Sequence, residues 1–521
     1  MACPLSVLFS ALEGSPSGET REVTVTGLHV DSRRVEPGHL FVDAAEPGGA
    51  GGAHVADAVR RGAVALVLPP GTDGPPGVPA VVVADPRAAF SRLADVFYGH
   101  PSADLRVLGV TGSNGKTTVA SMLAQSLREC GVAAAHWTTD EVWSGARRFR
   151  PVFTTPEAGD LHRFLREALE AGRTHASIEV SSHAVVARRV ADVRFAGGAV
   201  TGITPDHIDF HGTFEAYLEA KAQFLRMLPE GAACLYNGDD GGARRAVVGL
   251  RATTLSYGES AAADLRADGA RTGAGGASCT VHFAARARDA LAAMAARART
   301  GAPSPIPPPP VLTLGVPVPG LHNLLNALAA LGLAVAMGVP AEDAATALGR
   351  FQPPARRLAM RHVGGHLLID DVAMNEASFD AVLAAVAAMG LPRLVVVVAL
   401  RGHRGTDVQR RIADTLSRWN RRLRFAPLVA SLSRTAVTAY SADHQVRPEE
   451  LDAFLEAAAA GGLTCDLYQE LEEAVGAAVG RLGPEGALLL LGTFGMDAGL
   501  ALALRLLGGE ALPPHPAPRL G

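Results

Sequence analysis

The feature that most constrains this chain is a glycine-rich turn placed between an apolar run and a helical pattern. Leu105 to Val110 has the character of a buried strand, and Lys116 to about Cys130 has the periodicity of a helix. Glycines in such a turn let backbone amides surround an anion, and the helix N-terminus adds the positive end of its dipole. The sequence therefore predicts a phosphate-binding loop rather than an ordinary turn with a solvated lysine. Its residues are Gly112, Ser113, Asn114, Gly115, Lys116, Thr117 and Thr118.

Two side chains of this loop have specific expected roles. Lys116 would reach the β- and γ-phosphates of a nucleotide, and Thr117 would offer its hydroxyl to Mg²⁺. The spacing is not the strict GxxxxGK[ST] form, because Val110 stands where that form has its first glycine. It matches the variant TGxNGKT instead.

The rest of the chain alternates strand and helix patterns, which is typical of the α/β class with mostly parallel sheets. We expect three domains in the 521 residues. Residues 1–102 form an N-terminal α/β domain, 103–353 a central P-loop domain, and 354–521 a C-terminal Rossmann-like α/β domain. Residues 284–310 are Ala/Arg-rich and then Pro-rich, so we expect a surface insertion with a short helix and a stiff linker.

Composition argues against nucleic-acid and membrane partners. The net charge is −4 and aromatic residues make up only 5% of the chain. The five cysteines stand far apart with no CxxC pair, which favours a reducing compartment. The N-terminal apolar run lacks a positive region before it, and Leu321 to Val339 begins with polar residues. We expect a cytoplasmic monomer or weak oligomer that acts on small molecules.

Polar clusters follow two further apolar runs. Glu179 ends a strand before Val-Ser-Ser-His, and His207 lies in the segment from Thr204 to Thr213. Side chains at these positions project into the crevice at the carboxyl edge of a parallel sheet, where a carboxylate can bind Mg²⁺. His207 is a candidate metal ligand or phosphate contact. Lys221 lies on the helix that follows, and a solvated face is an equally open interpretation for it.

These motifs together resemble the Mur ligase superfamily, and most closely its branch that adds the third amino acid to the peptidoglycan precursor (MurE). The resemblance covers about residues 25 to 385. It is carried by TGSNGKTT at 111–118, TTPE at 154–157, EVSSH at 179–183, DHIDFHGT at 206–213, AK at 220–221, YG at 257–258, AD at 263–264, GLHNLLNALAA at 320–330 and DSRRVEPGHLF at 31–41.

The resemblance implies an ATP- and Mg²⁺-dependent, ADP-forming ligase. ATP phosphorylates a substrate carboxylate, and an amine then attacks the acyl phosphate through a tetrahedral intermediate. Phosphoryl transfer of this kind needs positioning and charge neutralisation more than covalent help. The implied acceptor is a UDP-MurNAc-dipeptide-like molecule bound by the N-terminal domain, with the amine bound by the C-terminal domain.

The resemblance also implies roles for single residues. The catalytic set would be Lys116, Glu179, His207 and Lys221. Metal ligands would be Thr117 and Glu179 for one Mg²⁺, and His207 with a carbamylated Lys221 for a second, because carbamylation turns the amine into an anionic oxygen ligand. ATP contacts would be Asn326 at adenine, Asp370 at ribose, and Arg356 or Arg357 at the phosphates. Acceptor contacts would be Ser32 at uridine, Thr154 and Thr155 at the nucleotide sugar, and Ser182 and Arg189 at the peptide and acyl donor.

The C-terminal part departs from the family pattern. Met374 stands where members of the family have histidine, and a thioether cannot donate a hydrogen bond as imidazole can. The C-terminal part also lacks the family's DNPR motif and GKGHE ending, and in the central part Gly202 replaces an asparagine. Arg401 and Arg404, in the turn after the strand-like run from Leu394 to Leu400, could bind a substrate carboxylate bidentately or lie in a solvated loop.

Three further interpretations stay open. The same ligase chemistry could serve another amide bond, for example in specialised metabolism. A Mur-like binding protein without turnover is another possibility, although the intact charges of the loop and clusters oppose it. A folate-type ligase shares the phosphate loop, but the clusters at 179–183 and 206–213 are closer to the precursor enzymes.

Overall fold

The computed structural model describes residues 1–14, 17, 23–44, 51–298, 307–425 and 427–510. Its N-terminal part has a short antiparallel pair, β1 (Cys3–Pro4) with β2 (Thr24–Val25), and a 4-stranded parallel sheet. The sheet strands are β3 (Gly27–His29), β4 (His39–Val42), β5 (Ala65–Leu68) and β6 (Ala80–Val82). The helices are α1 (Leu5–Ser10), α2 (Gly51–Arg60), α3 (Pro86–Phe97) and α4 (Pro101–Asp104), and Ser32–Arg34 forms a 3-10 turn.

The central part contains an 11-stranded sheet. Its strands are β7 (Arg106–Thr111), β8 (Ala134–Trp137), β9 (Val142–Trp143), β10 (Arg148–Phe149), β11 (His175–Glu179), β12 (Phe195–Val200), β13 (Ala233–Asn237), β14 (Thr253–Gly258), β15 (Leu265–Gly273), β16 (Gly276–Phe283) and β17 (Val311–Val316). The spatial order is β10-β9-β8-β11-β7-β12-β13-β14-β15-β16-β17. The strands from β8 to β15 pair in parallel, and antiparallel strands extend both edges.

Helices connect the central strands and cover the sheet. They are α5 (Lys116–Glu129), α6 (Ala158–Glu170), α7 (Ser182–Val186), α8 (Ile208–His211), α9 (Phe214–Arg226), α10 (Gly241–Ala246), α11 (Ala285–Ala298), α12 (Leu321–Ala336) and α13 (Ala341–Leu348). α12 is apolar along almost its whole length because it is buried among α5, α13 and the sheet. The polar start of this helix and its burial agree with the interpretation of Leu321 to Val339 as a core helix.

The C-terminal part forms a 6-stranded sheet. Its strands are β18 (Ala359–Val363), β19 (His366–Asp371), β20 (Leu394–Ala399), β21 (Leu428–Ser431), β22 (Cys465–Tyr468) and β23 (Ala487–Leu491), in the order β18-β19-β23-β20-β21-β22 with only β18 antiparallel. Its helices are α14 (Glu376–Ala388), α15 (Thr406–Leu423), α16 (Arg434–Tyr440), α17 (Pro448–Ala460), α18 (Leu471–Gly480) and α19 (Gly499–Leu506). The two short 3-10 turns of this part are Ala442–His444 and Phe494–Met496.

The α/β fold class and the large, mostly parallel central sheet are confirmed. The division at residues 102/103 and 353/354 stays a prediction. Among the described residues, no helix is both long and apolar enough to cross a membrane. All five cysteines are free thiols.

The predicted surface insertion at 284–310 is wrong for its helical part. α11 packs against α12, and its apolar face carries four buried side chains that join the largest hydrophobic cluster of the molecule: Ala287, Leu291, Met294 and Ala295. The alanine-rich composition concealed this face, because small side chains bury readily without a strong apolar pattern. Most of the Pro-rich stretch, residues 299–306, lies outside the described residues.

Candidate active site

The carboxyl ends of neighbouring parallel strands meet at one edge of the central sheet, facing the C-terminal part. β11 and β12 flank β7, so the turns that follow these three strands are brought together. They border a cleft of about 1250 Å³. This is the crevice where open α/β sheets bind ligands, and most of the predicted site residues line it.

The phosphate-binding loop runs from the end of β7 to the first turn of α5. Gly112 and Gly115 have φ angles of 142° and 85°, in the left-handed region that favours glycine. A Cβ atom at Gly112 would lie 1.9 Å from Oγ1 of Thr201, and one at Gly115 would lie 2.5 Å from Oδ1 of Asn326. Only glycine fits at these two positions, so the backbone can curl at the head of the helix as an anion cradle requires.

Lys116 bends back over this loop. Its Nζ donates to the carbonyl oxygens of Gly112 and Ser113, at 3.0 Å each. Burial lowers the pKa of Lys116, and the nearby carboxylates of Glu179 and Asp206 counteract that effect. The ammonium therefore lies at the mouth of the cradle, where it can neutralise a phosphate.

Glu179 ends β11 directly beside the loop. Its carboxylate accepts hydrogen bonds from the backbone N–H of Thr139 at 2.5 Å and from the Thr139 hydroxyl at 3.2 Å. Burial raises the pKa of Glu179, while the charge of Lys116 lowers it. The hydroxyl of Thr117 accepts from Arg357 Nη2 at 3.2 Å, and the same guanidinium pairs with Asp140.

This donor set fits a magnesium ion that is shared with phosphates. In the described ranges, no three His, Cys, Asp or Glu side chains converge as a complete metal cage. Mg²⁺ is commonly held by one or two protein oxygens, waters and substrate phosphates rather than by a full protein cage. A hydroxyl from Thr117 and a carboxylate from Glu179, beside the phosphate cradle, supply such a pair.

Lys221 is buried behind the phosphate-binding loop, at 1% exposure, and does not itself border the cleft. Its Nζ donates to the carbonyl oxygen of Gly112 at 2.8 Å and lies 4.5 Å from the ring centre of Tyr217. Burial and the charge of Lys116 hold the pKa of Lys221 well below its usual range. The solvated-face interpretation is therefore wrong, and a neutral amine is the form that can add CO₂.

His207 lies at the cleft next to a second imidazole. Its ring centre is 4.8 Å from that of His183, and its Nε2 is 3.8 Å from Asp206 Oδ2. Burial lowers the pKa of His207 to about 4, although the charge of Asp206 opposes the shift. The neutral ring can therefore act as a metal ligand near neutral pH.

Asp370 does not lie where the resemblance predicts. Its carboxylate is 1% exposed, pairs with Arg356 at 3.2 Å and does not border the cleft. Arg356 is itself held by the carbonyl of Thr493 at 2.8 Å and by Asp497. The expected ATP contacts of both residues are thus replaced by an internal ion pair, although Arg356 still touches the cleft wall.

The neighbouring Asp371 borders the cleft instead. Its Oδ2 accepts from the backbone N–H of Leu358 at 2.8 Å, and burial raises its pKa to about 7 despite the charge of Arg357. Successive side chains of a strand point to opposite faces, so a shift of one residue decides which aspartate is available. Asp371, and not Asp370, is therefore the aspartate of this pair that a nucleotide in the cleft could reach. Asn326 lines the cleft, and its contact with adenine stays a prediction.

Several residues that are predicted to bind the acceptor substrate are linked by hydrogen bonds into a strip beside Glu179, which we call the acceptor strip. The Thr155 hydroxyl donates to the Glu179 carbonyl at 2.8 Å, and Arg189 Nη1 donates to the Thr155 carbonyl at 3.1 Å. Arg189 also pairs with Glu157 at 2.6 Å, and Thr154 accepts from the Thr139 hydroxyl at 3.0 Å.

Two other residues that are predicted to bind the acceptor substrate do not border this cleft. Ser182 is buried next to the imidazole of His211, at 3.0 Å, and does not border the cavity. Ser32 is buried in the 3-10 turn of the N-terminal part, which is joined to α6 by the ion pair between Arg34 and Asp160 at 2.9 Å.

Arg401 and Arg404 have different environments, although they belong to the same turn. Arg404 Nη2 pairs with Asp206 at 3.0 Å and donates to the Met374 carbonyl at 3.1 Å, so it links the two parts rather than lining the cleft. Arg401 lines the cleft, and its buried Nε has no hydrogen-bond partner. The substrate role predicted for Arg404 therefore does not fit, whereas that of Arg401 does.

Sequence reasoning missed the residue that holds this turn. The buried carboxylate of Glu450 accepts from the backbone N–H groups of His403, Arg404 and Gly405, at 3.1, 2.8 and 2.8 Å. Burial raises the pKa of Glu450, but these hydrogen bonds outweigh that effect and lower it. Only the packing of α17 beside the turn brings the two together, so no local pattern indicated the contact.

A phosphate-binding loop beside a pair of oxygen donors suited to Mg²⁺ is typical of enzymes that use nucleotide triphosphates. Comparison with known proteins is consistent with this class. Residues 110–334 match the Mur ligase middle domain, and residues 355–494 match the Mur ligase glutamate ligase domain.

Relatives cover most of the chain. A UDP-N-acetylmuramoyl-L-alanyl-D-glutamate–2,6-diaminopimelate ligase of Rhizobium meliloti is 30% identical over 93% of this chain and 92% of its own. The ligase of the same name from Chelativorans sp. is 32% identical over 78% of this chain and 80% of its own. The crystal structure of MurF from Acinetobacter baumannii shares the fold, with a TM-score of 0.69, 20% identity and coverage of 97% and 99%.

The chain belongs to the Mur ligase family. It is an ATP-dependent, ADP-forming amino acid ligase that acts on small molecules, and enzymes of this family use ATP with Mg²⁺. The predictions of family, enzyme class and general cofactor use are confirmed.

Proposed function

We propose that the enzyme joins an amino acid to the carboxylate of a UDP-MurNAc-dipeptide-like acceptor through an acyl phosphate. The main support for this proposal is the position of the acceptor strip beside the phosphate-binding loop. Thr155 and Arg189 are connected to Glu179 by hydrogen bonds, so an acceptor carboxylate held there would meet the phosphates at the loop. The relatives that span the chain are named for the same acceptor class.

Different residues of the cleft have different roles in this reaction. The loop amides and Lys116 hold the phosphates and neutralise charge that develops as the phosphoryl group moves. Thr117 and Glu179 would hold Mg²⁺, which supplies further charge stabilisation to the phosphates. Arg357 lies within hydrogen-bond distance of Thr117 and is the arginine that we assign to the phosphates.

A second metal would be held by His207 and a carbamylated Lys221. In the modification, the neutral Nζ forms a bond to the carbon of CO₂ and loses a proton to solvent, leaving a carbamate anion. Burial of Lys221 supports this step because it lowers the pKa of the amine and so disfavours the charged ammonium. The product offers the hard oxygen ligand that Mg²⁺ prefers.

The remaining assignments belong to the same proposal. Asn326 would contact adenine, and Asp371 would take the ribose contact that we had expected of Asp370. Ser32 and the rest of residues 1–102 would bind the nucleotide sugar, and residues 354–521 would bind the amine. The five free thiols support a reducing, cytoplasmic location.

A second candidate is the same chemistry on another acceptor. The C-terminal wall of the cleft favours it, because Met374 and Phe494 border the cavity where the family pattern has a histidine and the GKGHE ending. Both candidate functions would use the same phosphate-loop residues, and they differ only in the acceptor substrate that binds beside the loop.

The deciding experiment measures ADP release and product mass with ATP, Mg²⁺, UDP-MurNAc-L-Ala-D-Glu and single amino acids. We expect a product heavier than the acceptor by one amino acid residue. The Lys116→Ala variant is the control and should release no ADP, because it lacks the cation at the transferring phosphoryl group. Measurable ATP binding without turnover on any amino acid would favour the other acceptor.

A further inference from the structure

We propose that the amine substrate is an amino acid with one carboxylate and a flat, uncharged side chain, held by Arg401 and by the stacked rings of Tyr440 and Phe494. This inference rests on the proposed ligase function and specifies its amine. Arg401, Tyr440 and Phe494 all border the C-terminal wall of the cleft.

Among the residues that the structure describes, none provides an anionic partner for Arg401 on this wall. Its buried Nε has no hydrogen-bond partner, and its guanidinium lies 5.2 Å from the ring centre of Phe494. The backbone of Arg401 is fixed, since its carbonyl accepts from Gln409 Nε2 at 2.7 Å and the following turn is held by Glu450. A carboxylate that entered the cleft would satisfy this group by a charge-assisted hydrogen bond.

The other arginines of this wall already have carboxylate partners. Arg356 pairs with Asp370 and Asp497, and Arg357 pairs with Asp140. Arg404, behind the wall, pairs with Asp206. A diaminopimelate substrate carries two carboxylates, and within the described ranges this wall has no second arginine without a carboxylate partner to receive the other one. Burial of an unpaired charge is strongly unfavourable.

The surface beside Arg401 is aromatic. The rings of Tyr440 and Phe494 are stacked at 4.2 Å between centres with 8° between planes, and His444 meets both rings edge-on at 5.8 and 5.2 Å. Tyr440 is 56% exposed, so ring surface remains open to a ligand. Aromatic groups gain energy from offset or edge contacts beyond the area that they bury.

The same surface disfavours a cationic side chain. Rings attract cations in general, but the guanidinium of Arg401 already lies over Phe494. An ammonium bound next to it would meet a like charge. Lysine-like amines are therefore disfavoured by the residue that binds the carboxylate.

The test compares kcat/KM for L-phenylalanine, L-tyrosine, L-alanine, L-lysine and meso-diaminopimelate on the full chain with ATP, Mg²⁺ and UDP-MurNAc-L-Ala-D-Glu. We expect the aromatic amino acids to exceed the others by about tenfold or more. Turnover that is fastest with diaminopimelate, lysine or alanine would overturn the inference and leave the proposed function standing.

A binding measurement keeps the two proposals separable. If no amine gives product, equilibrium dialysis of labelled L-phenylalanine and diaminopimelate, with a non-hydrolysable ATP analogue and Mg²⁺, tests the amine site without the acceptor. Tighter binding of phenylalanine supports the inference although the acceptor is wrong. Equal binding, tighter diaminopimelate or no saturable binding overturns it.

Variants assign the selectivity to these residues. Tyr440→Leu should reduce the preference for phenylalanine over alanine while changing KM more than kcat. Arg401→Ala should raise KM for amino acids by about tenfold to a hundredfold, as expected for a lost charge-assisted hydrogen bond. Arg401→Lys keeps the charge and is the second variant if Arg401→Ala does not fold. Arg410→Ala, on the exposed part of α15, is the matched control. An unchanged preference in Tyr440→Leu would show that the rings do not select the amine.

Discussion

At the scale of residues, burial decides the protonation of the two lysines near the phosphate loop. Both Nζ atoms donate to the carbonyl oxygen of Gly112, at 3.0 Å for Lys116 and 2.8 Å for Lys221. The pKa of Lys116 falls through burial but is partly restored by Glu179 and Asp206, whereas burial and the Lys116 charge drive the pKa of Lys221 lower. Two identical side chains thereby become suited to different chemistry, one as a cation and the other as an amine.

The Lys221→Ala variant tests this difference. We expect it to lose most activity, because the anionic oxygen that the carbamate would provide is gone, and to regain part of it with added acetate or formate. ADP release with and without the short carboxylate measures the effect. Full activity of the variant without any additive would show that no carbamate is needed. Lys221→Arg is a useful companion, since it keeps a cation but cannot form a carbamate.

At the scale of elements, α11 shows that an Ala/Arg-rich segment can be part of the core. Leu291 is fully buried in the cluster that also contains α12 and the strands around it. The helix connects the antiparallel strands β16 and β17, so it is a structural crossover rather than an appendage.

The Leu291→Ala variant should therefore be destabilised by about 2 to 5 kcal/mol, the usual cost of removing a buried leucine side chain. Chemical unfolding of the full chain measures it. Asp289→Ala, on the exposed face of the same helix, is the control and should change stability little.

Deletion of residues 285–309 should give an insoluble product. A stable, active deletion variant would restore the interpretation as a surface insertion.

At the scale of the whole molecule, a small polar network joins the phosphate loop to the C-terminal part. Asp206 is bound by Arg404 and by Asn375 Nδ2, each at 3.0 Å, and Asn375 also accepts from Asn114 Nδ2 at 3.1 Å. The nucleotide loop is therefore coupled directly to the wall that carries Arg401. Closure of one part over another is a common way to exclude water from such a reaction.

The Arg404→Ala variant should destabilise this junction by about 3 to 5 kcal/mol, because it leaves Asp206 buried without its partner. Burial raises the pKa of Asp206, but Arg404, His207 and Asn375 outweigh that effect and lower it. The pair therefore contributes stability above the ordinary aspartate pKa, and that stability is lost as pH falls through the lowered value. Thermal unfolding between pH 3 and pH 7 measures both effects.

Arg418→Ala is the matched control for the junction, since Arg418 forms an exposed ion pair with Asp380 at 2.7 Å. Exposed pairs contribute about 0 to 1 kcal/mol. A similar loss in both variants, or an acid response that Arg404→Ala does not change, would contradict the proposed role of the junction.

Local sequence patterns are enough to predict the phosphate loop, the α/β class and the polar clusters at Glu179 and His207. These depend on local properties: glycine at positive φ, apolar runs that form buried strands, and polar residues that directly follow them. The family resemblance added the expected roles of those residues and identified where the C-terminal part departs from the pattern.

Tertiary structure alone decided which charged side chains are available to a ligand. Asp370 and Asp371 are adjacent, yet one is paired internally and the other borders the cleft, because strand geometry turns them to opposite faces. Arg401 and Arg404 share a turn, but Asp206 from the central part pairs with only one of them. Charge availability depends on partners that lie far away in sequence, and only the packed molecule brings those partners together.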